Sequence, residues 1–219
     1  MNLSELWSLY GQNYIDALLA TWGMTLESFA IAMVLAVAVT VMRVSPLKPL
    51  RVFGDLYVQV FRNIPGIALL IIVVYALPPL KVVLPYRTCV IVATVLLGSA
   101  FGSENFMSGI NTVGVGQVEA ARSLGMSFSR ILAKIVIPQA LRSSVLPMTN
   151  LFIAVMLTTA LGSQVPLKPQ ELTGVVSYIN TRSLGGVAAF FISALGYLGT
   201  AFVVSHIGNY IDKKVRILR

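Results

Sequence analysis

The chain has 219 residues, of which 57% are apolar and only 11% charged, and its mean hydropathy is +0.84. A soluble domain carries about 25% charged residues, so this composition excludes an ordinary soluble enzyme and excludes disorder, leaving an integral membrane protein. The net charge of +8, from 16 Lys and Arg against 8 Asp and Glu, reads as membrane orientation and gives no reason to invoke nucleic acid.

Taken in chain order, residues 1–16 are polar and aromatic and lack the basic start of a signal peptide. The aromatics Trp7, Tyr10, Tyr14 and Trp22 are expected to anchor the outer interface. Five apolar stretches follow, near 23–42, 56–77, 88–107, 145–165 and 186–211. Each is about the 20 residues that a helix needs to cross about 30 Å of hydrocarbon. All are predicted to be helices, because a spanning backbone must satisfy its own hydrogen bonds. The fourth is interrupted by Pro147 and Asn150. A short interfacial helix is expected near 171–179, after the Pro166 and Pro169 loop.

Basic residues set the orientation. Eleven of the sixteen fall after span one (Arg43, Lys48, Arg51), between spans three and four (Arg122, Arg130, Lys134, Arg142) or in the tail (Lys213, Lys214, Arg216, Arg219). The other side holds Lys81, Arg87, Lys168 and Arg182. The N-terminus is therefore expected outside and the C-terminus in the cytoplasm. The single Cys89 and single His206 exclude an internal disulfide and a multi-Cys or multi-His metal site. Cys89 is expected as a buried thiol and His206 as a hydrogen-bonded interface residue.

The segment 108–144 is too long for a tight turn. Within it, Gly114 and Gly116 precede a short predicted helix and Gly125 ends it. Glu119 is expected in the first turn of that helix, with Arg122 three residues on as its pairing partner. Ala120 and Ala121 give a small-residue face for close approach. A second helix follows with an apolar stripe of Phe128, Ile131, Leu132, Ile135 and Val136, broken or kinked at Pro138. From the residues alone, the pair is either a cytoplasmic docking element or an amphipathic element lying on lipid.

The sequence Glu119-Ala120-Ala121 with Gly125, then Ile135-x-Ile137-Pro138, resembles the "EAA loop" of ATP-binding-cassette importer permeases. The longer run from Gly116 to Met126, followed by Pro138-Gln139-Ala140, resembles the polar amino-acid subfamily, as does Phe61-Arg62-Asn63-Ile64-Pro65. Arg43-Val44-Ser45-Pro46 is similar to glutamate-type permeases. The resemblance implies an all-α fold of five transmembrane helices, with a cytoplasmic coupling helix between spans three and four, as in type I importers. It implies a single permease domain over residues 1–219 in a bacterial plasma membrane. Glu119, Ala120, Ala121, Arg122 and Gly125 would engage a cytoplasmic ATPase dimer. ATP and Mg would sit on that partner, since this chain has no phosphate-binding Gly-x-x-x-x-Gly-Lys loop. No cofactor, metal or catalytic residue is assigned to the chain itself. A second permease, self or paralogue, and an extracytoplasmic amino-acid-binding protein complete the implied assembly. Glutamate or another polar amino acid is the implied substrate.

Two departures from the subfamily stand out. Met107 replaces an Arg, and Leu157-Thr158-Thr159-Ala160-Leu161 lacks the usual Lys. Both remove positive charge from the membrane, so in a pair of different permeases this chain is expected to contribute less to substrate binding.

Polar groups inside spans are functional candidates. Arg62 and Asn63 either pair with Asp55, Glu104 or a carbonyl freed by Pro65, or serve a substrate gate. Asn150, Thr158, Thr159, Ser163 and Gln164 either line a path or tie helices together. Glu104 is expected in an ion pair and Glu27 at the headgroups. Gly98-x-x-x-Gly102 is expected to be an internal packing face. The readings of another class, an ion-coupled secondary transporter or channel subunit and a membrane scaffold recruiting a cytoplasmic partner, would show inverted repeats with buried carboxylates and no transport, respectively.

Overall fold

The computed structural model describes residues 3–182 and 186–215. Arg216 and Arg219, placed by sequence in the cytoplasmic tail, lie outside them. Every regular element among the described residues is helical. Four helices are long and apolar enough to cross a membrane, or five if a bent pair is one span.

Helix α1 runs Leu3–Val44, 42 residues, or about 63 Å at 1.5 Å per residue. That is twice the hydrocarbon thickness, so α1 continues well beyond the expected 23–42 segment. Its first half is held by packing: Leu6, Tyr14 and Ala17 bury against Leu172, Val175, Ile179 and Ala189. Tyr14 is only 3% exposed and donates its hydroxyl to the Ala189 carbonyl at 2.9 Å. It is a core residue, unlike the anchor expected from its neighbours. Trp7, stacked on it at 6.4 Å, stays exposed.

The expected straight span at 56–77 is two helices instead. Helix α2 (Lys48–Asn63) and the segment Gly66–Leu80, which opens with α3 (Gly66–Ile71), meet at 102°. Pro65 causes the break: it has no N–H to donate, and Ile64 before it is extended (φ −81°, ψ 131°). Gly54 of α2 approaches Val39, Met42 and Arg43. The Tyr57 hydroxyl meets Ser99 Oγ at 2.7 Å, and the Arg62 guanidinium lies 5.4 Å from the Phe101 ring centre. Helix α2 thus advances about 12 Å from Gly54 to Arg62 while staying near one level of the long helix α4 (Tyr86–Asn111). It crosses α4, whereas α3 and the turn after it pack along it through Leu69, Leu70, Val73, Cys89, Val90 and Ala93. Cys89 is buried and free, as expected.

Helices α1 and α4 form the tightest pair. A Cβ on Gly98 would sit 3.2 Å from that of Ala32, and one on Gly102 only 2.8 Å from that of Ala36. The Gly98-x-x-x-Gly102 face is therefore an internal packing face.

After α4 come α5 (Val115–Ser123), α6 (Phe128–Ile131) and α7 (Ile137–Ser143). A π-turn at Leu132–Val136 joins α6 to α7. It contains the Lys134 carbonyl, four residues before Pro138, with which the proline ring would collide in a regular helix. The π-turn Ile72–Ala76 stands in the same relation to Pro78. Pro138 therefore does not end its helix. Helix α8 (Val145–Thr158) continues as a 3₁₀ segment, Thr159–Gln164. Pro147 is in its first turn, where no intrahelical N–H bond is needed, so the expected interruption does not occur.

The expected short helix near 171–179 is α9 (Leu172–Asn180). It packs on the chain through Leu172, Val175 and Ile179, which are core. Helix α10 runs Gly186–Val215.

The two glycine distances predict a graded packing effect. Gly102→Ala should destabilise the protein by about 1–3 kcal/mol and Gly98→Ala by less. Thermal unfolding in detergent, followed by size-exclusion of the surviving monodisperse fraction, checks this. Equal midpoints for the two variants would contradict the close approach at Gly102.

Candidate functional site

Two places gather the candidate residues. The first is α5 and the turn behind it. Gly114 precedes α5 in extended conformation (φ −60°, ψ 132°). Gly125 ends it with φ +74°, a left-handed conformation that favours glycine. Its N–H donates to the Arg122 carbonyl at 2.9 Å, and the Met126 N–H donates to the Ala121 carbonyl at 3.1 Å. These bonds satisfy carbonyls that a helix end leaves open.

The helix starts at Val115, so Glu119 is its fifth residue and lies outside the first turn. Among the described residues Glu119 and Arg122 form no ion pair with each other; both point into solvent. The two alanines divide. Ala121 is buried against Val113, Ile131 and Val136, while Ala120 is exposed. Only one of them can be a contact face; the other seats α5 on its own chain. Gln139 Nε2 donates to Gln117 Oε1 at 2.7 Å, tying α5 to α7. Two apolar residues not singled out in the sequence stand free at the ends of the element: Val115 is 70% exposed and Leu124 83%.

The second place is a cavity of about 620 Å³ between α2, α3, α4 and α8. Arg62, Thr94, Phe101, Thr158, Leu161 and Gln164 are on its wall. Arg62 is the only charged group among the described lining residues. Its Nη1 is 3.6 Å from Glu104 Oε2, so the expected pairing with Glu104 is present but long. Glu104 is held more firmly by Arg43, at 2.8 Å. The same Arg43 reaches Asp55 through Nε at 2.8 Å and Ser103 Oγ at 3.2 Å. Arg43 carries one charge for two carboxylates, so Arg62 is the second cation of a four-charge cluster, and its contact is the longest in it.

Thr158 Oγ1 donates to the Ala154 carbonyl at 2.7 Å. Thr94 is not a candidate from the sequence. It is buried on the cavity wall, and among the described residues its hydroxyl has no hydrogen-bond partner. A buried orphan hydroxyl costs about 1–3 kcal/mol. No sequence pattern marks it; only the cavity does.

The remaining candidates separate. Asn63 is outside the cavity and donates to its own Gln59 carbonyl at 2.6 Å. Thr159 is buried and donates to the Met156 carbonyl at 2.6 Å, so it fixes the 3₁₀ turn. Asn150 is exposed, one helical turn before Ala154 on the same face of α8. Away from the cavity, Glu27 pairs with Arg87 at 2.6 Å.

Behind the 3₁₀ wall lies Glu171, fully buried. It caps α9 by accepting from the Thr173 and Gly174 N–H groups and from the Tyr197 hydroxyl. A Cβ on Gly162 would meet its side chain at 3.0 Å. Burial pushes the Glu171 carboxyl above its ordinary value, against the opposing pull of those donors.

The arrangement of helices is that of a transport permease of the type I ATP-binding-cassette importers. A crystal structure of an amino acid ABC transporter with histidines superposes with a TM-score of 0.91 over 98% of this chain and 99% of that one, at 24% identity. An inward-facing structure of the MetNI methionine ABC transporter gives 0.79 over 95% and 98%, at 20% identity. Among curated relatives, the glutamate transport system permease protein of Corynebacterium efficiens is 33% identical over 208 residues, 90% of this chain and 91% of its own length. The L-cystine transport system permease protein of Bacillus subtilis is 31% identical over 215 residues, 95% and 91% respectively. Residues 28–217 match the family described as binding-protein-dependent transport system inner membrane component, and the chain belongs to that family.

The buried carboxyl makes stability depend on pH. A raised folded pKa contributes stability that is full below the unfolded value and is lost as pH rises through the folded one. The wild type should therefore lose ground to Glu171→Gln as pH rises from about 4.5 towards about 7. Thermal midpoints of both proteins across that range test this; a pH-independent difference would refute the raised pKa.

Proposed function

We propose that the chain is the permease subunit of an ATP-driven, binding-protein-dependent amino-acid importer, working by alternating access. The observation that carries this reading is the family match across residues 28–217, together with a short capped helix, α5, that bears the matching motif on an exposed element. On this reading the chain has five spans, the bent α2–α3 pair supplying the second. The N-terminus lies outside and the C-terminus in the cytoplasm.

Helix α5 is the coupling helix. It presents Val115, Glu119, Ala120, Arg122 and Leu124 to a cleft of the cytoplasmic ATPase. Ala121 and Gly125 shape it from within. ATP and Mg bind on that partner, and hydrolysis happens there. A second permease, either a copy of this chain or a paralogue, closes the open side of the cavity. An extracytoplasmic binding protein delivers the amino acid.

The substrate reading rests on the cavity. Arg62 supplies the one cation to meet a carboxylate, with the Thr94 and Thr158 hydroxyls and the Gln164 amide around it. The names of the relatives, glutamate and cystine among them, support a polar amino acid. Arg62 is retained although the positive charges at Met107 and in the Leu157–Leu161 stretch are absent, so on this reading the chain still contributes to binding. Asn63 and Thr159 have structural roles on this reading, and Asn150 is at the inner mouth.

Two experiments test the two halves. Glu119→Lys, Leu124→Asp and Gly125→Pro should each cut co-purification of the ATPase by about tenfold or more, a loss typical of an interface hot spot. Gly125→Pro acts by removing both the left-handed φ and the N–H bond to Arg122. Retention of the ATPase by all three would reject α5 as the docking element. Arg62→Ala should leave assembly intact and raise the KM for transported amino acid by about tenfold, with Thr94→Val giving a smaller rise. Transport kinetics in proteoliposomes read this; an unchanged KM in Arg62→Ala would remove Arg62 from the substrate site.

A further inference from the structure

Helix α2 has three sides. Gly54 and Val58 are buried against the chain. Phe53, Leu56 and Val60 form an exposed apolar side. Lys48, Arg51, Asp55, Gln59 and Arg62 recur at spacings of three and four, which puts them on one exposed face. A helix lying on a membrane surface has two sides, one wet and one in lipid. Here the chain takes one side, the apolar residues take another, and the polar face requires water of its own.

That polar face has a direction. One end is Arg62, in the cavity wall. The other is Lys48, just past the inner end of α1, about 21 Å away along the axis. The 102° bend at Pro65 turns the strip away from the outward-running α3.

The strip is cationic. Asp55 and Glu104 share the one charge of Arg43, each at 2.8 Å, so Asp55 offsets only part of the positive charge that Lys48, Arg51 and Arg62 bring to the strip. Among the described residues Lys48 and Arg51 make no ion pair, and Arg62 is only loosely engaged by Glu104 at 3.6 Å. We propose that the polar face of α2 is the inner part of the translocation path: a wet, positively charged strip along which the substrate carboxylate passes from Arg62 by Gln59 and Arg51 to Lys48 and the cytoplasm. This rests on the reading of the cavity as the substrate site. It adds Gln59, Arg51 and Lys48, residues outside the cavity, to the residues that the substrate meets.

The test uses the assembled complex in inside-out vesicles, with Cys89→Ala removing the native thiol. Transport by the unlabelled complex is measured first; if it carries no amino acid, the importer reading itself fails. Gln59→Cys, Arg51→Cys and Phe53→Cys are then treated with an anionic sulfonatoethyl methanethiosulfonate and its cationic trimethylammonium analogue. Gln59 and Arg51 are exposed and hold no element together, and each serves as a check on the other should one variant not assemble. The expected result is fast modification at 59 and 51 but not at 53. The anionic reagent should be favoured at Gln59→Cys by about tenfold over its ratio for free cysteine. Saturating amino acid during turnover should slow the reaction, and completed modification should abolish transport. Modification at Gln59→Cys that ignores substrate and leaves transport intact would make the strip an ordinary cytoplasmic surface and overturn the proposal. So would no modification at 59 and 51.

Discussion

Arg43 ties three helices together at one end of the protein. Its side chain, 11% exposed, joins α1 to Asp55 on α2 and to Glu104 and Ser103 on α4. Thr40 completes the cluster by donating to Ser103 Oγ at 3.1 Å. In a chain with few charges, three are spent at one crossing. Removing one member of such a partly buried network leaves its partner uncompensated, which costs about 3–5 kcal/mol when fully buried and less at this exposure. The network does more than join helices. Because Arg43 takes the short contact with Glu104, Arg62 is left with the long one and, on the proposed reading, meets a ligand at the cavity. A structural ion pair and a loosely engaged functional cation share one carboxylate.

Helix breaks then place the cavity. In a membrane, close helix packing comes from small residues, and the Ala32 and Ala36 face of α1 meets the Gly98 and Gly102 face of α4 at distances that admit no larger side chain. The cavity opens beside that contact, with Gly98 on its wall, where Pro65 turns α3 away from α2. The π-turn before Pro138 absorbs the missing proline bond without ending the helix, whereas the one before Pro78 ends at Ala76 and the chain passes through Leu77 into the 3₁₀ turn Pro78–Leu80. Pro65 therefore acts as a break and Pro138 as a local bend.

The sequence made much of this legible, and the gaps have physical causes. Apolar length alone located α4, α8 and α10, because a run of about 20 apolar residues has few alternatives. Glycine punctuation located α5, since Gly125 needs a conformation that other residues resist. Apolar length could not reveal the 102° bend, because a broken span has the same composition as a straight one. Nor could it extend α1 back to Leu3: that half is stabilised by α9, some 150 residues away in sequence. The alanine pair at 120 and 121 read as one surface because spacing says nothing about which side of a short helix meets its own chain. The orphan Thr94 hydroxyl and the capping Glu171 were invisible for the same reason. Their environments come from elements distant in the chain.

These features form one route from α5 to the cavity. Helix α5 is fixed to the α6–α7 segment by the Ala121 contacts with Ile131 and Val136 and by the Gln117–Gln139 bond. Helix α7 then passes into α8 across Ser144 alone, whose hydroxyl bonds the Ala140 carbonyl at 2.8 Å and lies 3.3 Å from the Asn105 carbonyl of α4. Asn105 in turn donates to the Pro147 carbonyl at 3.0 Å. A Cβ on Gly109 would collide with Ser144 and the Ala140 carbonyl, so α4 and the α7–α8 junction are packed backbone to backbone. On the proposed reading, ATPase closure displaces α5, and the displacement cannot be absorbed at a flexible joint before it reaches α8. It arrives at Ala154 and Thr158, on the cavity wall opposite Arg62. The close packing at Gly109 and Ser144 is what would make that wall move as a body.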